Sequence, residues 1–81
     1  MQKTRIVEIL EEICPGEEVS TSDSLVDSRI LDSLAIVALV AELEEEFNIV
    51  IPAVEIVAEN FNSVDALNDL LSRLVEDQIG S

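Results

Sequence analysis

The sequence has no histidine, no tryptophan and no tyrosine, and a single cysteine, Cys14. Without histidine, no Ser-His or Cys-His nucleophile can be assembled. The usual Cys/His zinc site is excluded with it. One cysteine forms no internal disulfide, which suits a reducing, cytoplasmic setting. Aromatics are limited to Phe47 and Phe61, so few rings are available to stack on a base or a flat cofactor. Basic residues are equally scarce: 4 Lys and Arg stand against 18 Asp and Glu, a net charge of −14. That balance argues against nucleic acid and against anionic membrane surfaces, both of which are bound through basic clusters. The longest uninterrupted apolar run, Leu34 to Ala41, is far too short for a membrane span. The basic start at Lys3 and Arg5 is followed by Glu8, Glu11 and Glu12, which is no signal peptide.

What remains is an apolar fraction of 48%, ordinary for a globular protein and well above that of a disordered acidic chain. At 81 residues the chain holds one modest core, and residues 1–81 are expected to form a single domain. Its field favours partners with basic surfaces.

The periodicity predicts an all-α fold: a four-helix bundle of three long helices and one short one, with a long loop between the first two. Ile6, Leu10 and Ile13 recur at helical steps, and Pro15-Gly16 closes that helix, predicted over Lys3 to Ile13. The following loop carries Leu25, Val26, Ile30 and Leu31, too many apolar side chains to hang in solvent. A second helix is predicted over Ser33 to Phe47, capped by Asp32, with a stripe of Ile36, Val40, Leu43 and Phe47 widened by Leu39. Ile49-Val50-Ile51-Pro52 reads as extended loop, since a lone strand has no partner. A short helix over Val54 to Glu59 and a last one, capped by Ser63 and buried through Val64, Leu67, Leu70, Leu71 and Leu74, complete the set. The expected core is Ile6, Leu10, Ile13, Leu25, Ile36, Val40, Leu43, Phe47, Ile51, Phe61, Leu67, Leu71 and Leu74.

The Asp-Ser pair occurs three times, at Asp23-Ser24, Asp27-Ser28 and Asp32-Ser33. Only the last opens a long amphipathic helix. A serine there sits among unpaired amides and the positive end of the helix dipole, where a phosphodiester on its hydroxyl is stabilised. Taken by itself, Ser33 reads first as an ordinary first-turn serine. An EF-hand reading fails: a loop starting at Asp23 puts Ser28 where glycine is needed and Leu34 where the bidentate Glu is needed.

From about Ser24 to Leu74 the chain resembles the acyl carrier and peptidyl carrier family. The resemblance rests on Leu25, Leu31-Asp32-Ser33-Leu34, Glu44-Glu45-Glu46-Phe47, Ile49-Val50-Ile51-Pro52 and Asn62-Ser63-Val64-Asp65-Ala66-Leu67, in matching order and spacing. It implies a 4′-phosphopantetheine arm, taken from coenzyme A, on Ser33, and a cargo held on the arm as a thioester. It also implies that Asp32 assists a magnesium-using phosphopantetheinyl transferase. Partner enzymes — a loading ligase, then a transferase or synthase — would read the second helix from Leu34 onward, through Ala35, Ala38, Glu42 and Glu45. The protein itself is then not an enzyme, and a monomer is expected. Cys14 is read as a small packing residue, the working thiol being the arm's.

Two departures refine the resemblance. Many members carry a glycine two or three residues before Asp-Ser, where this chain has Ile30 and Arg29. Fatty-acid carriers place acids early on the second helix, where this chain has Ala35 and Ala38. The second departure, with the Ile30-Leu31-Asp32-Ser33 and Ile49-Val50-Ile51-Pro52 stretches, makes the chain resemble the stand-alone aminoacyl type, such as the D-alanyl carriers. The rival readings are a non-covalent acidic helical adaptor and a degenerate carrier that is never modified.

Overall fold

The computed structural model describes residues 3–20 and 23–79, and its described elements are all helical. They are α1 (Lys3–Ile13), α2 (Ser33–Phe47), a single 3-10 turn (Ala53–Glu55), α3 (Ala58–Phe61) and α4 (Val64–Ile79). No strand occurs among the described residues. Helix α1 packs against both α2 and α4, and α3 packs against α4. The side chains of Ile6, Ile9 and Leu10 carry α1 into the core without residual exposure.

Helix α2 starts where Asp32 leaves helical geometry (φ −85°, ψ −178°) and its Oδ1 accepts the N–H of Ala35 at 2.8 Å. It ends at Asn48, which turns left-handed (φ 54°) and donates its N–H to the carbonyl of Glu44. Asn tolerates that conformation better than most residues. The buried stripe is rotated from the expected one. Leu39 and Leu43 lie at its centre, fully buried, while Ile36, Val40 and Phe47 are half-buried at one flank. The periodicity fixed which side of α2 turns inward. The rotation follows from where α1 and the flanking loop apply their own side chains.

The short third helix differs from the expected Val54–Glu59. Ile56 (ψ 75°) and Val57 (ψ 154°) leave the helical region, so the segment splits into the 3-10 turn and α3. Asn60 bridges the break, donating its Nδ2 N–H groups to the carbonyl and Oε1 of Glu55 at 2.9 and 3.2 Å. Continuing α3 to Phe61 brings that ring, the largest fully buried side chain, into the core. Helix α4 begins as expected. Ser63 Oγ accepts the N–H of Ala66 at 3.0 Å, and Val64, Leu67, Leu70, Leu71 and Leu74 are all buried.

The connecting segments are packed. Val19, Leu25 and Leu31 are buried between the helices. Asn62, at the α3–α4 junction, fastens this connection. Its Oδ1 accepts the N–H groups of Val26 and Asp27 at 2.9 and 3.2 Å, and its carbonyl accepts that of Leu25 at 2.8 Å. Leu25 in turn accepts the N–H of Leu31 through its own carbonyl at 2.8 Å. After α2, Ile49 and Ile51 point inward while side chains take the place of a partner strand. Glu44 accepts the N–H of Ile51 at 2.8 Å, and Gln78 both accepts from and donates to the backbone of Val50. Buried backbone polar groups demand such partners.

Candidate functional site: the N-terminus of helix α2

Ser33 is the first residue of α2, and its side chain is exposed. The first-turn donors around it are divided. Asp32 takes the N–H of Ala35 with its carboxylate and that of Ile36 with its carbonyl, at 2.8 and 2.9 Å. The N–H groups of Ser33 and Leu34 have no partner among the described residues. Two free amides at the positive end of a 15-residue helix suit an anion bonded to the serine oxygen. The other two Asp-Ser pairs lie in the α1–α2 connection. Ser24 is half-buried there, and Asp27 is tied to Asn62.

An open groove of about 480 Å³ lies between the end of α1 and the start of α2; Asp32 and Leu34, the neighbours of Ser33, line it, and Ser33 itself does not. Its apolar walls are Ile13, Cys14, Ile30, Leu34, Ala35 and Ala38, and Asp32 and Glu17 stand on it as acids. A free amide pair, an exposed hydroxyl and adjoining open space together fit a phosphate-linked flexible chain on Ser33. Cys14 is buried against this groove, and its Sγ donates to the carbonyl of Ile30 at 3.4 Å. Burial pushes its thiol above the ordinary value, and the charges of Glu17 and Asp32 push it further. A thiol kept protonated this way is a poor nucleophile.

The expected partner face is only partly as the sequence suggested. Leu34 is 82% exposed, and Ala38, Glu42 and Glu45 are open with it. Ala35 is instead half-buried, packed against the core at the flank nearest α1. Val37, not singled out from sequence, is 67% exposed. Its spacing of three from Leu34 and four to the exposed Ala41 was the available signal. A second exposed apolar group, Val50, Val54 and Val57, follows α2 and was also missed. The four acids at the end of α2 divide by role. Glu44 holds Ile51, and Glu46 pairs with Arg5 of α1 at 2.9 Å, a hydrogen bond that keeps its carboxyl below the ordinary carboxylate value. Glu42 and Glu45 are free for partners among the described residues.

Arg29, three residues before Asp32, has φ 66°, in the left-handed region. Glycine reaches that region without strain, which gives a physical reason for glycine in this part of the loop.

The family profile described as "Phosphopantetheine attachment site" matches residues 4–71, most of the chain. The chain belongs to this family. Among curated proteins it is similar to a D-alanyl carrier protein of Streptococcus suis, 38% identical over 76 residues and covering 91% of both chains. A D-alanyl carrier protein of Listeria welshimeri is 44% identical over 55 residues, covering 65% of this chain and 70% of that one. Aminoacyl carrier protein 2 of Bradyrhizobium diazoefficiens is 30% identical over 83 aligned positions, covering 98% and 88%. No solved structure matches significantly. The protein is thus a carrier and not itself an enzyme. It bears a covalent 4′-phosphopantetheine arm, tethers an acyl or aminoacyl group as a thioester, and leaves catalysis to the enzymes it serves. No helix among the described residues is long and apolar enough to cross a membrane.

Proposed function

We propose that this carrier holds its arm on Ser33 and that the cargo is an aminoacyl group of the D-alanyl type. The observation that carries the site is the exposed Ser33 hydroxyl at the head of α2, beside two unpartnered amides, within the matched region. In the loading of the arm, Ser33 Oγ attacks the phosphorus bearing pantetheine in coenzyme A. The adenosine 3′,5′-bisphosphate leaves, and the serine proton passes to a base in the transferase complex. Asp32 uses one carboxylate oxygen to cap α2, and its other oxygen is open to the transferase's magnesium ion. The long, packed connection between α1 and α2 frames this point.

The cargo reading is supported by the named relatives and by the apolar opening of α2. Leu34, Val37, Ala38 and Ala41 form its outward stripe, with Glu42 and Glu45 a turn further on. A loading ligase and a downstream transferase fitting this face would offer an apolar pocket near Ser33 and basic side chains beyond it. Tethering raises the effective concentration of the cargo at each of their active sites. The carrier acts as a monomeric single domain, residues 1–81, in the cytoplasm.

The test is intact mass after incubation with coenzyme A, magnesium and a broad-specificity phosphopantetheinyl transferase. One adduct on the protein and none on Ser33→Ala is expected. Failure to form an adduct with several transferases would transfer the weight to a degenerate carrier or a non-covalent adaptor. Subsequent incubation of the loaded carrier with ATP, D-alanine and a D-alanine-activating ligase should add one alanyl group.

A further inference from the structure

The chain has four Lys and Arg side chains among 18 acids. Three of the four are committed within the fold. Lys3 pairs with Asp65 at 2.6 Å, Arg5 with Glu46 at 2.9 Å, and Arg73 with Glu55 at 3.2 Å. Arg29 has no ion pair or side-chain hydrogen bond among the described residues, although every acid of the chain is among them. It is exposed, and its backbone stands in a conformation that costs an L-residue energy. The strain is maintained from outside. Arg29 donates its N–H to the carbonyl of Val26 at 3.0 Å, and Val26 is bonded to the Asn62 side chain. The loop therefore holds one free guanidinium four residues before Ser33. Fully extended chain would separate the two Cα atoms by about 14 Å at most.

We propose that Arg29 is a phosphate-holding residue, whose guanidinium donates to the phosphodiester oxygens of the arm on Ser33. This rests on the Ser33 reading above. Guanidinium pairs with phosphate through charge-assisted, often two-pronged hydrogen bonds. A phosphodiester placed beside Asp32 adds negative charge to an already acidic chain, and among the described residues Arg29 is the one side-chain cation not already spent on an ion pair. The contact ties the root of the arm to the loop while its distal end remains free to travel.

The test is nitrogen-15 NMR of the three arginine side chains, with Arg29→Lys and Arg29→Gly to assign the Arg29 Nε–H signal. The protein is compared before and after complete addition of the arm, checked by mass. Attachment should shift the Arg29 Nε–H and slow its exchange with water roughly threefold or more, leaving Arg5 and Arg73 unmoved. The effect should fade in about 1 M salt, where charges are screened beyond about 3 Å. An adduct with an unmoved Arg29 overturns this proposal alone. Absence of any adduct removes the Ser33 reading and this one with it, and is read by mass, not NMR. The same Arg29 shift with coenzyme A but no transferase also overturns it, since attachment would not be what brings the phosphate.

Discussion

Replacing Arg29 by glycine should stabilise the protein. The left-handed backbone at φ 66° brings Cβ close to the carbonyl oxygen, costing about 1–2 kcal/mol. Glycine removes that cost, and its greater freedom in the unfolded chain takes back about 0.4–1 kcal/mol. The net gain is about 0.5–1 kcal/mol, which for a domain of this size raises Tm by about 2–8 °C. Loss of the guanidinium complicates a comparison with the parent, so the proper reference is Arg29→Ala. Both variants move the net charge from −14 to −14 − 1 = −15, and both lose the side chain. Only the Cβ distinguishes them. Urea unfolding followed by circular dichroism should put Arg29→Gly about 0.5–1 kcal/mol above Arg29→Ala at equal m-value. Equal or lower stability for the glycine variant would refute the claim that the loop strains this residue. On the phosphate proposal, the more stable Arg29→Gly protein also holds its arm less firmly, so stability and function part at this position.

Asn62→Ala leaves the N–H groups of Val26 and Asp27 without their acceptor, and should cost about 1–3 kcal/mol, with faster amide exchange from Leu25 to Asp27. The Arg5–Glu46 pair predicts a pH signature. Arg5 depresses the Glu46 carboxyl, so its contribution is full above the ordinary value of 4.5 and is lost as pH falls through the lower folded value. Glu46→Gln should therefore differ from the parent at neutral pH and converge with it in acid, and a constant difference across that range would count against the pair. Val37→Glu changes a 67% exposed residue and should leave folding within about 0.5 kcal/mol, while lowering kcat/KM for ligase loading roughly tenfold. The net charge of −14 predicts that Tm rises along a sodium chloride series. A flat or falling series would show that self-repulsion is not a significant cost.

Much of this protein is determined locally. The end of α1 and the starts of α2 and α4 are set by short-range chemistry: the Pro15-Gly16 stop, the Asp32 cap and the Ser63 cap act within a turn of themselves. The stripe of α4 is legible because its five buried residues, Val64, Leu67, Leu70, Leu71 and Leu74, fall on one face of a single helix. Ser33 as candidate attachment point follows from the same locality, since a helix N-terminus is defined by a few consecutive residues. The rest depended on residues far apart in sequence. The rotation of α2 onto Leu39 and Leu43, the half-burial of Ala35 and the openness of Val37 depend on where α1 and the loop lie. The interruption at Ile56 and Val57 serves to bring Phe61 inside, and Glu44 is occupied by a backbone N–H seven residues on. The sequence showed Arg29 and Ile30 where many members carry a glycine, but not that the backbone of Arg29 is left-handed or that it is the one side-chain cation without an ion pair among the described residues. Those facts required Asn62 to fasten the loop from 35 or 36 residues away, and α1, α2, α4 and the 3-10 turn to meet closely enough for the other three cations to find their acids. Helix ends are fixed by bonds within a turn, whereas burial and pairing are fixed by which elements meet, and only the folded chain brings them together.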